Sequence, residues 1–458
     1  MQLYNTYSQQ LETLQPISPQ QVSIYTCGPT VYDYAHVGNW FTFIRYDLLI
    51  RTLLALGYTP NWVLNITDVG HLTSDRDEGD DKLAKKALKE HKTAWDIANY
   101  YSEYFNASLA KLNFIMPSVM PRATGCINEQ IEFIKVLETK GFTYKINDGI
   151  YFDTSKFKHY RDFARLDIDE QQGGKRIEYN PEKRQPADFA LWKFSPSSAK
   201  RDMEWSSPWG IGFPGWHIEC SAMCLKYLGK TIDIHCGGID HIPVHHTNEI
   251  AQSESVNNSP LANIWLHSNH VLINDQKISK SLNNTITLEE IEQHDITLEA
   301  FRLHVIESHY RSQSKFNWQA LRASKNRLSR FQNFAVKRYQ PLPGAKHIDK
   351  PKLLEAMSDD LNTPKALSLL EEYINQSDKL NLPIKDIEEV IALVDNLFGL
   401  KLSDVPDISI DQRELINKRT VARMSHDWAL SDEIRIALNE QGIGLQDNPT
   451  GSTWLYLA

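Results

Sequence analysis

Apolar residues near the start of the chain fall into short runs that are separated by turn residues. The runs QVSIYTC (21–27) and NWVLNIT (61–67) are typical of short buried strands. Between them, a mostly apolar stretch from about residue 40 to residue 56 has the length of a helix, and Gly57 supplies a helix-terminating glycine. A strand, a helix and a strand in succession predict a βαβ unit, and therefore the beginning of a parallel sheet.

The pattern changes twice further along the chain. Residues 82–112 predict one long helix, whereas 115–195 contain a shorter helix and then the hairpin pattern YKINDGIYF. Alternation of strands and helices returns between about 216 and 275, and helices predominate from about 285 to 400. We therefore interpret 115–195 as an insertion between two halves of a nucleotide-binding domain.

These segments together predict an α/β protein with a Rossmann-type domain, an insertion, a helical bundle and a small C-terminal domain. The polar segment LSDVPDIS (402–409) contains a proline and marks the last boundary. The predicted regions are 1–114 for the first half of the Rossmann-type domain, 115–195 for the insertion, 196–284 for the second half, 285–400 for the helical region and 401–458 for the C-terminal domain.

Composition restricts the possible protein classes. The chain has 458 residues, of which 41% are hydrophobic, and this is enough for two to four domains. It contains neither an apolar run of about 18 residues nor a secretory signal pattern, so we expect a cytoplasmic protein that does not bind membranes. The net charge of −9 argues against a general nucleic-acid coat, although a local basic face would be sufficient for RNA binding.

Two short motifs have the chemistry of phosphate binding. His36-Val37-Gly38-Asn39 opens a predicted helix, where backbone N–H groups and the helix dipole favour phosphate. In KISKS (277–281), Lys277 and Lys280 are three residues apart and can reach one triphosphate. Taken singly, each motif also has an ordinary explanation, as a helix start with a surface histidine or as an exposed basic loop.

A candidate metal cluster is spread over the chain. The five cysteines are too few and too scattered for a disulfide framework, which leaves buried thiols or metal ligands. His245 and Glu249 are four residues apart on a predicted helix and share one face, and with Cys27 and Cys220 they would complete a tetrahedral zinc site. Spacing alone does not exclude five rivals, which are Cys224, Cys236, His235, His241 and His246.

A family resemblance connects these motifs. The pair HVGN and KISKS looks like the HIGH and KMSKS motifs of class I aminoacyl-tRNA synthetases. In chain order, seven segments resemble cysteinyl-tRNA synthetases: YTCGPTVYDYAHVGN, NITD, PGWHIECSAM, IDIHCGGIDHIPVHHTNEIAQSE, KISKSLNN, DDLNTPKAL and GIGLQDNPTGSTW. Three positions depart from the usual family pattern: Cys236 replaces a glycine, Thr247 replaces a glutamate, and Asn283 replaces the glycine after the KISKS leucine.

The resemblance implies a set of site residues. Its zinc ligands would be Cys27, Cys220, His245 and Glu249. ATP, with Mg²⁺, would be bound by His36, Gly38, Asn39, Gly238, Asp240, Lys277, Ser279 and Lys280, of which His36, Asn39, Lys277 and Lys280 would be catalytic. Trp216 and Thr67 would line the amino-acid pocket.

The resemblance also implies an activity. The enzyme would activate L-cysteine with ATP to form cysteinyl-adenylate, and would transfer the cysteinyl group to the 3′-terminal adenosine of tRNA-Cys. Zinc would distinguish cysteine from serine, because apolar packing separates such near-isosteres by roughly 10²-fold or less. We expect a monomer whose regions 285–400 and 401–458 bind tRNA, with Arg413, Lys418, Arg419 and Arg423 as its basic residues near the C-terminus.

Two alternatives remain open. A cysteine ligase of a mycothiol-type pathway shares the catalytic core but lacks the full C-terminal extension, which is present here. A non-catalytic paralogue that binds RNA would usually lose one of the motifs, whereas this chain keeps all of them.

Overall fold

The computed structural model describes residues 1–70, 82–164, 180–196, 201–273, 276–277, 285–341, 343–448 and 451–457. The chain divides into two compact units. The first comprises Met1–Leu272, Lys277–Thr287 and Tyr310–Ser314, and the second comprises Ile273–Gln276, Leu288–His309 and Lys315–Ala458. None of the helices in the described ranges is both long enough and apolar enough to cross a membrane.

The first unit is built on a four-stranded parallel sheet in the order β10-β9-β3-β4. Its strands are β3 (Gln21–Thr26), β4 (Thr59–Leu64), β9 (Ile232–Gly238) and β10 (Ala262–Ser268). Helix α1 (Val37–Ala55) connects β3 to its neighbour β4, and this confirms the predicted βαβ unit. Every residue of β9 is buried, as expected for a parallel strand that is covered on both faces.

The long helix predicted over 82–112 is wrong. The chain forms two helices, α2 (Lys82–Glu90) and α3 (Ala94–Lys111), with His91 between them at a φ of 56°. Thr93 caps α3, because its side chain accepts a hydrogen bond from the backbone N–H of Asp96. The left-handed residue and the new cap explain the break.

The predicted insertion contains a helix and an antiparallel sheet. Helix α4 (Ile127–Thr139) precedes the sheet β5-β6-β7-β8, and the turn of the predicted hairpin lies between β5 and β6. The strands are β5 (Thr143–Ile146), β6 (Gly149–Phe152), β7 (Phe189–Phe194) and β8 (Gly212–Pro214). Its last strand therefore lies beyond residue 195. Two further helices, α5 (Trp216–Leu228) and α6 (Thr247–Asn257), flank β9 in sequence, and β1 (Gln2–Asn5) pairs with β2 (Gln10–Thr13).

The second unit is mainly helical, which confirms the prediction of a helical region followed by a small C-terminal part. Its helices are α7 (Leu288–Gln293), α8 (Leu298–Ile306), α9 (Trp318–Ala335), α10 (Leu353–Ser358), α11 (Thr363–Ser377), α12 (Ile384–Phe398), α13 (Ile410–Met424) and α14 (Trp428–Glu440). Strands β11 (Val271–Ile273), β12 (Gln276–Lys277) and β13 (Ser314–Phe316) lie where the chain passes between units, and β14 (Ile443–Asn448) pairs with β15 (Gly451–Tyr456).

A group of charged residues organises the C-terminal part of the second unit. Asp447 on β14 accepts hydrogen bonds from Arg419 at 2.7 Å, from Arg435 at 2.8 Å and from Arg423, and also from the hydroxyl of Ser452. Arg419 is only 1% exposed, so its guanidinium group lies inside the unit. We call these five residues the Asp447 cluster.

Candidate active site

Four elements of the first unit bring the predicted zinc ligands together. Cys27 follows β3, Cys220 lies on α5, His245 lies in a short π-helix (Ile242–His246) that leads into α6, and Glu249 lies in the first turn of α6. Their ligand atoms lie within 4.8 Å of one another, and all four residues are buried. Residues from distant parts of the sequence thus form one compact cluster of two thiols, an imidazole and a carboxyl group.

A second group of the same kind overlaps the first. Cys27, His235, His246 and Glu249 also have ligand atoms within 4.8 Å of one another. The two groups share Cys27 and Glu249, and the Glu249 oxygens are divided between them: Oε1 lies 2.6 Å from His245 Nε2 and Oε2 lies 2.6 Å from His235 Nε2. Among the described residues, the rivals Cys224, Cys236 and His241 belong to neither group.

The chemistry of both groups fits zinc, which favours thiolate, imidazole and carboxylate ligands in four-coordinate sites. The group with Cys220 offers two sulfur ligands, and softer thiolate donors favour zinc over oxygen-seeking cations. His245 Nδ1 lies 2.9 Å from His217 Nδ1, so a hydrogen bond on the far side of the ring fixes its orientation. These features favour the group that contains Cys220.

The buried charges of the cluster are mutually compensating. A hydrogen bond from Cys27 lowers the pKa of the Cys220 thiol to about 7, while burial raises the pKa of Cys27. Burial opposes the charged form of His245, but the neighbouring Glu249 and Cys220 raise its pKa to about 10. Burial likewise opposes ionisation of Glu249, but His235 and His245 hold its pKa well below the usual range. The neighbouring thiol and carboxyl groups therefore favour a proton on His245, and a metal ion bound here would displace that proton and those of the thiols.

The two residues predicted for the amino-acid pocket lie in different surroundings. The half-buried ring of Trp216 begins α5, and its centroid lies 4.5 Å from that of His245. Thr67 is buried; its hydroxyl accepts a hydrogen bond from Asn65 Nδ2 at 3.1 Å, and its backbone N–H donates to Pro29. Trp216 therefore contacts the cluster through His245, whereas the backbone hydrogen bond of Thr67 stabilises the loop that follows Cys27.

The predicted phosphate-binding helix start is present. His36 is the N-cap residue of α1, and its backbone N–H donates to Asn39 Oδ1 at 3.1 Å. The N–H of Val37 donates to the carbonyl of Ile286 at 2.8 Å, so this group is already satisfied by the protein. Asn39 thus stabilises the helix start, in addition to any contact with a ligand.

Gly238 is the last residue of β9 and Asp240 follows shortly after it, at the edge where the parallel strands terminate. A Cβ atom at Gly238 would lie 2.3 Å from Asp240 Oδ1, so the aspartate can take this position only beside a glycine. The preceding glycine is similarly restricted, because a Cβ atom at Gly237 would lie 2.3 Å from His246 Cε1. Nucleotides bind at this edge of α/β sheets, where a close backbone approach is useful.

The KISKS prediction largely falls outside the described residues. Ser279 and Lys280 lie outside them, and only the backbone of Lys277 is described, in β12. The structure also adds two histidines that the sequence pattern did not single out. His217 contacts His245, and His267 Nε2 lies 2.8 Å from His246 Nδ1. The spacing of His217 and Cys220 on one helical face is the signal that points to His217.

Comparison with known proteins identifies the family. Residues 13–326 match the family described as tRNA synthetases class I (C) catalytic domain, and residues 352–400 match the DALR domain. A cysteine–tRNA ligase of Treponema denticola is 40% identical, over 99% of each chain. Cysteine–tRNA ligase 1 of Burkholderia lata is 43% identical, over 98% of this chain and 95% of that protein. The chain belongs to the cysteine–tRNA ligase family.

Members of the cysteine–tRNA ligase family are class I aminoacyl-tRNA synthetases, and the resemblance drawn from the motifs is confirmed. The fold agrees with this class. A methionyl-tRNA synthetase of Mycobacterium tuberculosis in complex with methionyl-adenylate superposes with a TM-score of 0.61, over 84% of this chain and 93% of that one. Because only 12% of the aligned residues are identical, this likeness concerns the fold alone.

Proposed function

We propose that the chain activates L-cysteine with ATP and transfers the cysteinyl group to tRNA-Cys. In the first step, a carboxylate oxygen of cysteine attacks the α-phosphorus of ATP, and pyrophosphate leaves. In the second step, a hydroxyl of the 3′-terminal adenosine attacks the cysteinyl carbonyl, and AMP leaves. The observation that supports this proposal is the buried cluster of Cys27, Cys220, His245 and Glu249 in a member of the cysteine–tRNA ligase family.

We assign zinc to Cys27, Cys220, His245 and Glu249. When bound there, zinc supplies a strong preference for a thiolate over an alcohol, which separates cysteine from serine. The protein holds these ligands in place through a surrounding layer of hydrogen bonds. His217 orients the His245 ring, and His235 Nε2 holds the second oxygen of Glu249 at 2.6 Å.

The nucleotide is assigned to the adjacent edge of the sheet. His36, Gly38 and Asn39 would meet the phosphates at the start of α1, and Gly238 with Asp240 would meet the adenosine at the end of β9. The KISKS residues would act on the same triphosphate, and Mg²⁺ would accompany it. Their two lysine charges would stabilise the leaving pyrophosphate, and catalysis would consist mainly of positioning and charge stabilisation.

We assign tRNA binding to the second unit, in a monomeric, cytoplasmic enzyme. The position of the DALR match at 352–400 supports this, because it lies outside the adenylation residues. The four basic residues near the C-terminus differ, however, in their exposure and ion pairing. Lys418 is exposed and Arg423 is partly exposed, whereas Arg419 is buried in the Asp447 cluster and Arg413 is paired with Asp407. Arg423 also pairs with Asp447, so Lys418 is the best of the four candidates for a phosphate contact.

The decisive experiment measures cysteine-dependent ATP–pyrophosphate exchange and metal content on the same preparation. We expect about one zinc per chain, exchange with cysteine but not with serine, and charging of tRNA-Cys. Exchange without tRNA charging, combined with ligation of cysteine to an amino sugar, would support the mycothiol-type alternative. RNA binding without any exchange would support the non-catalytic one.

A further inference from the structure

Helix α2 is strongly basic in a chain that is acidic overall. Its sequence, KLAKKALKE, contains four lysines and one glutamate, and Lys92 follows it, whereas the whole chain has a net charge of −9. Leu83 and Ala87 are buried, while Lys85 and Lys89 are exposed. The helix therefore packs through its apolar face and presents lysines to solvent, which is the local basic patch that a nucleic-acid partner requires.

A group of tyrosines lies beside this helix. The ring centroid of Tyr34 is 5.0 Å from that of Tyr101 and 4.7 Å from that of Tyr104, both on α3. The hydroxyl of Tyr34 lies 2.9 Å from the hydroxyl of Tyr100. Tyr101 is buried, but Tyr34 and Tyr100 are 40% and 47% exposed, so two aromatic rings remain accessible, one on the loop before α1 and one on α3.

Lysines and tyrosines are in direct contact here. Lys92 Nζ lies 5.4 Å from the ring centroid of Tyr100, and Lys86 Nζ lies 5.6 Å from that of Tyr101. Lys86 is also held by Asp33 at 3.4 Å and by Glu90 at 3.2 Å, and Lys92 Nζ lies 3.3 Å from the second oxygen of Glu90. Lys85, Lys89 and Lys92 are the exposed lysines of this segment. We call Tyr34, Tyr100, Lys85, Lys89 and Lys92 the tyrosine–lysine surface.

The position of this surface restricts its partner. Tyr34 lies in the loop between β3 and α1, two residues before His36, which caps the helix start assigned to the ATP phosphates. Exposed aromatic rings interleaved with lysines are typical of sites for unpaired nucleotides, because the bases stack on the rings and the phosphates meet the cations. A double helix would hide its bases and would leave the rings unused.

We propose that the tyrosine–lysine surface binds the unpaired nucleotides that precede the 3′-terminal adenosine of tRNA, with bases stacked on Tyr34 and Tyr100. Phosphates of the same strand lie near Lys85, Lys89 and Lys92. The inference rests on the proposed function, since it requires tRNA as a substrate. The surface lies outside the residues assigned to cysteine and ATP, so it serves the second step of the reaction and not the first.

The test compares two RNAs and the double variant Tyr34→Leu with Tyr100→Leu. The RNAs are full-length tRNA-Cys and the same tRNA trimmed of its unpaired 3′ nucleotides. We expect the double variant to bind full-length tRNA about tenfold more weakly or worse, as for the loss of stacked bases, and to bind trimmed tRNA like the wild type. Equal losses on both RNAs, or no loss on either, would overturn the proposal.

Matched controls separate stacking from structural damage. Tyr100→Phe keeps the ring and should bind full-length tRNA within about twofold of wild type, since stacking uses the ring and not the hydroxyl. Tyr7→Leu alters a tyrosine of similar exposure, 41%, elsewhere in the first unit, and should leave tRNA binding unchanged. Cysteine-dependent ATP–pyrophosphate exchange should stay normal in every variant.

If the double tyrosine variant misfolds and loses exchange activity, a variant with altered lysine charges tests the proposal instead. Lys85→Glu with Lys89→Glu changes only exposed positions of α2 and should weaken full-length tRNA binding and flatten its salt dependence. Unchanged affinity and salt dependence would overturn the proposal. If the wild type itself neither exchanges pyrophosphate nor binds tRNA, the proposed function is wrong. If the wild type charges tRNA and the variants bind tRNA as well as the wild type does, only this inference is wrong.

Discussion

The candidate metal centre and the Asp447 cluster are both groups of ionisable side chains, yet they differ in how their charges are satisfied. In the first, the ligand atoms of two buried thiols, a histidine and a carboxylate lie within 4.8 Å of one another, and three regions distant in sequence supply them. In the second, a single carboxylate receives three guanidinium groups and a hydroxyl. The first has the ligands of a metal ion, whereas the second already contains the partners that it needs.

This difference shows that residue type and local charge do not by themselves reveal function. Arg419 belongs to a basic run that suggests RNA contact, but it is buried and stabilises the hairpin of β14 and β15. Cys27 and Cys220 are ordinary buried thiols when each is considered alone. What separates the two clusters is whether the groups that are brought together can all bind one metal ion: two thiols, an imidazole and a carboxylate can, whereas guanidinium groups around a carboxylate cannot.

The largest effect on the candidate metal centre is expected from the substitution Cys220→Ser. We expect this variant to lose most of its zinc and to activate cysteine at least about 10³-fold less efficiently, because an alcohol is a poor zinc ligand and the site would keep one sulfur. Metal analysis and ATP–pyrophosphate exchange would check this.

Cys224→Ser is the matched control, since Cys224 is a buried thiol one turn further along the same helix and belongs to neither ligand group. It should keep its zinc. Full zinc in Cys220→Ser, together with loss in a His246→Ala variant, would move the metal to the group that contains His235 and His246.

The corresponding change in the second unit is Asp447→Ala. It would leave the buried guanidinium of Arg419 without its carboxylate, and we expect it to lower the free energy of unfolding by about 3 kcal/mol. Zinc content and pyrophosphate exchange should be unchanged. Denaturant unfolding would measure the loss, and Asp407→Ala, which breaks an exposed pair with Arg413, should cost only about 0.5 kcal/mol.

The same carboxylate predicts a pH dependence. Arg419, by its hydrogen bond, holds the pKa of Asp447 well below the usual range, so the folded state binds its proton less readily than the unfolded state. The resulting stabilisation is present above about pH 4 and is lost as the pH falls below that value. The difference in unfolding free energy between wild type and Asp447→Asn should therefore be smaller at pH 3 than at pH 7, and an unchanged difference would contradict the assignment.

The smallest expected effect is that of Arg423→Ala on stability. Arg423 is partly exposed, and Asp447 keeps two other guanidinium groups, so the change should cost about 0.5 kcal/mol. If Arg423 contacts RNA, tRNA binding should weaken by a few fold and the salt slope should fall by about one. A large loss of stability with no change in tRNA binding would make Arg423 a structural residue like Arg419.

Local patterns predict local structure well in this chain. The alternation of apolar runs is sufficient for the strand–helix–strand unit of β3, α1 and β4, and Asn147-Asp148-Gly149 is sufficient for a hairpin turn. The break between α2 and α3 is less visible, because apolar spacing continues across His91. The Thr93 and Asp96 capping pair is the signal that marks it.

The site is only partly predictable for a different reason. His245 and Glu249 share a helical face in any α-helix, but their meeting with Cys27 and Cys220 depends on the order of strands in the sheet. Local sequence patterns do not determine that strand order. The pairing of Asp447 with Arg419 also depends on tertiary packing, so the sequence does not predict it. The two overlapping ligand groups likewise arise from packing, since Glu249 turns one oxygen toward each of them.

The burial of every native thiol also makes the protein convenient for fluorescence work. All five cysteines are free and buried, so a maleimide dye meets no thiol at the surface of the folded protein. A cysteine introduced at Leu88, which is 78% exposed on α2, would carry the dye alone, without deletion of the thiols at the candidate metal centre. A reporter could thus be placed beside the tyrosine–lysine surface in an otherwise native enzyme.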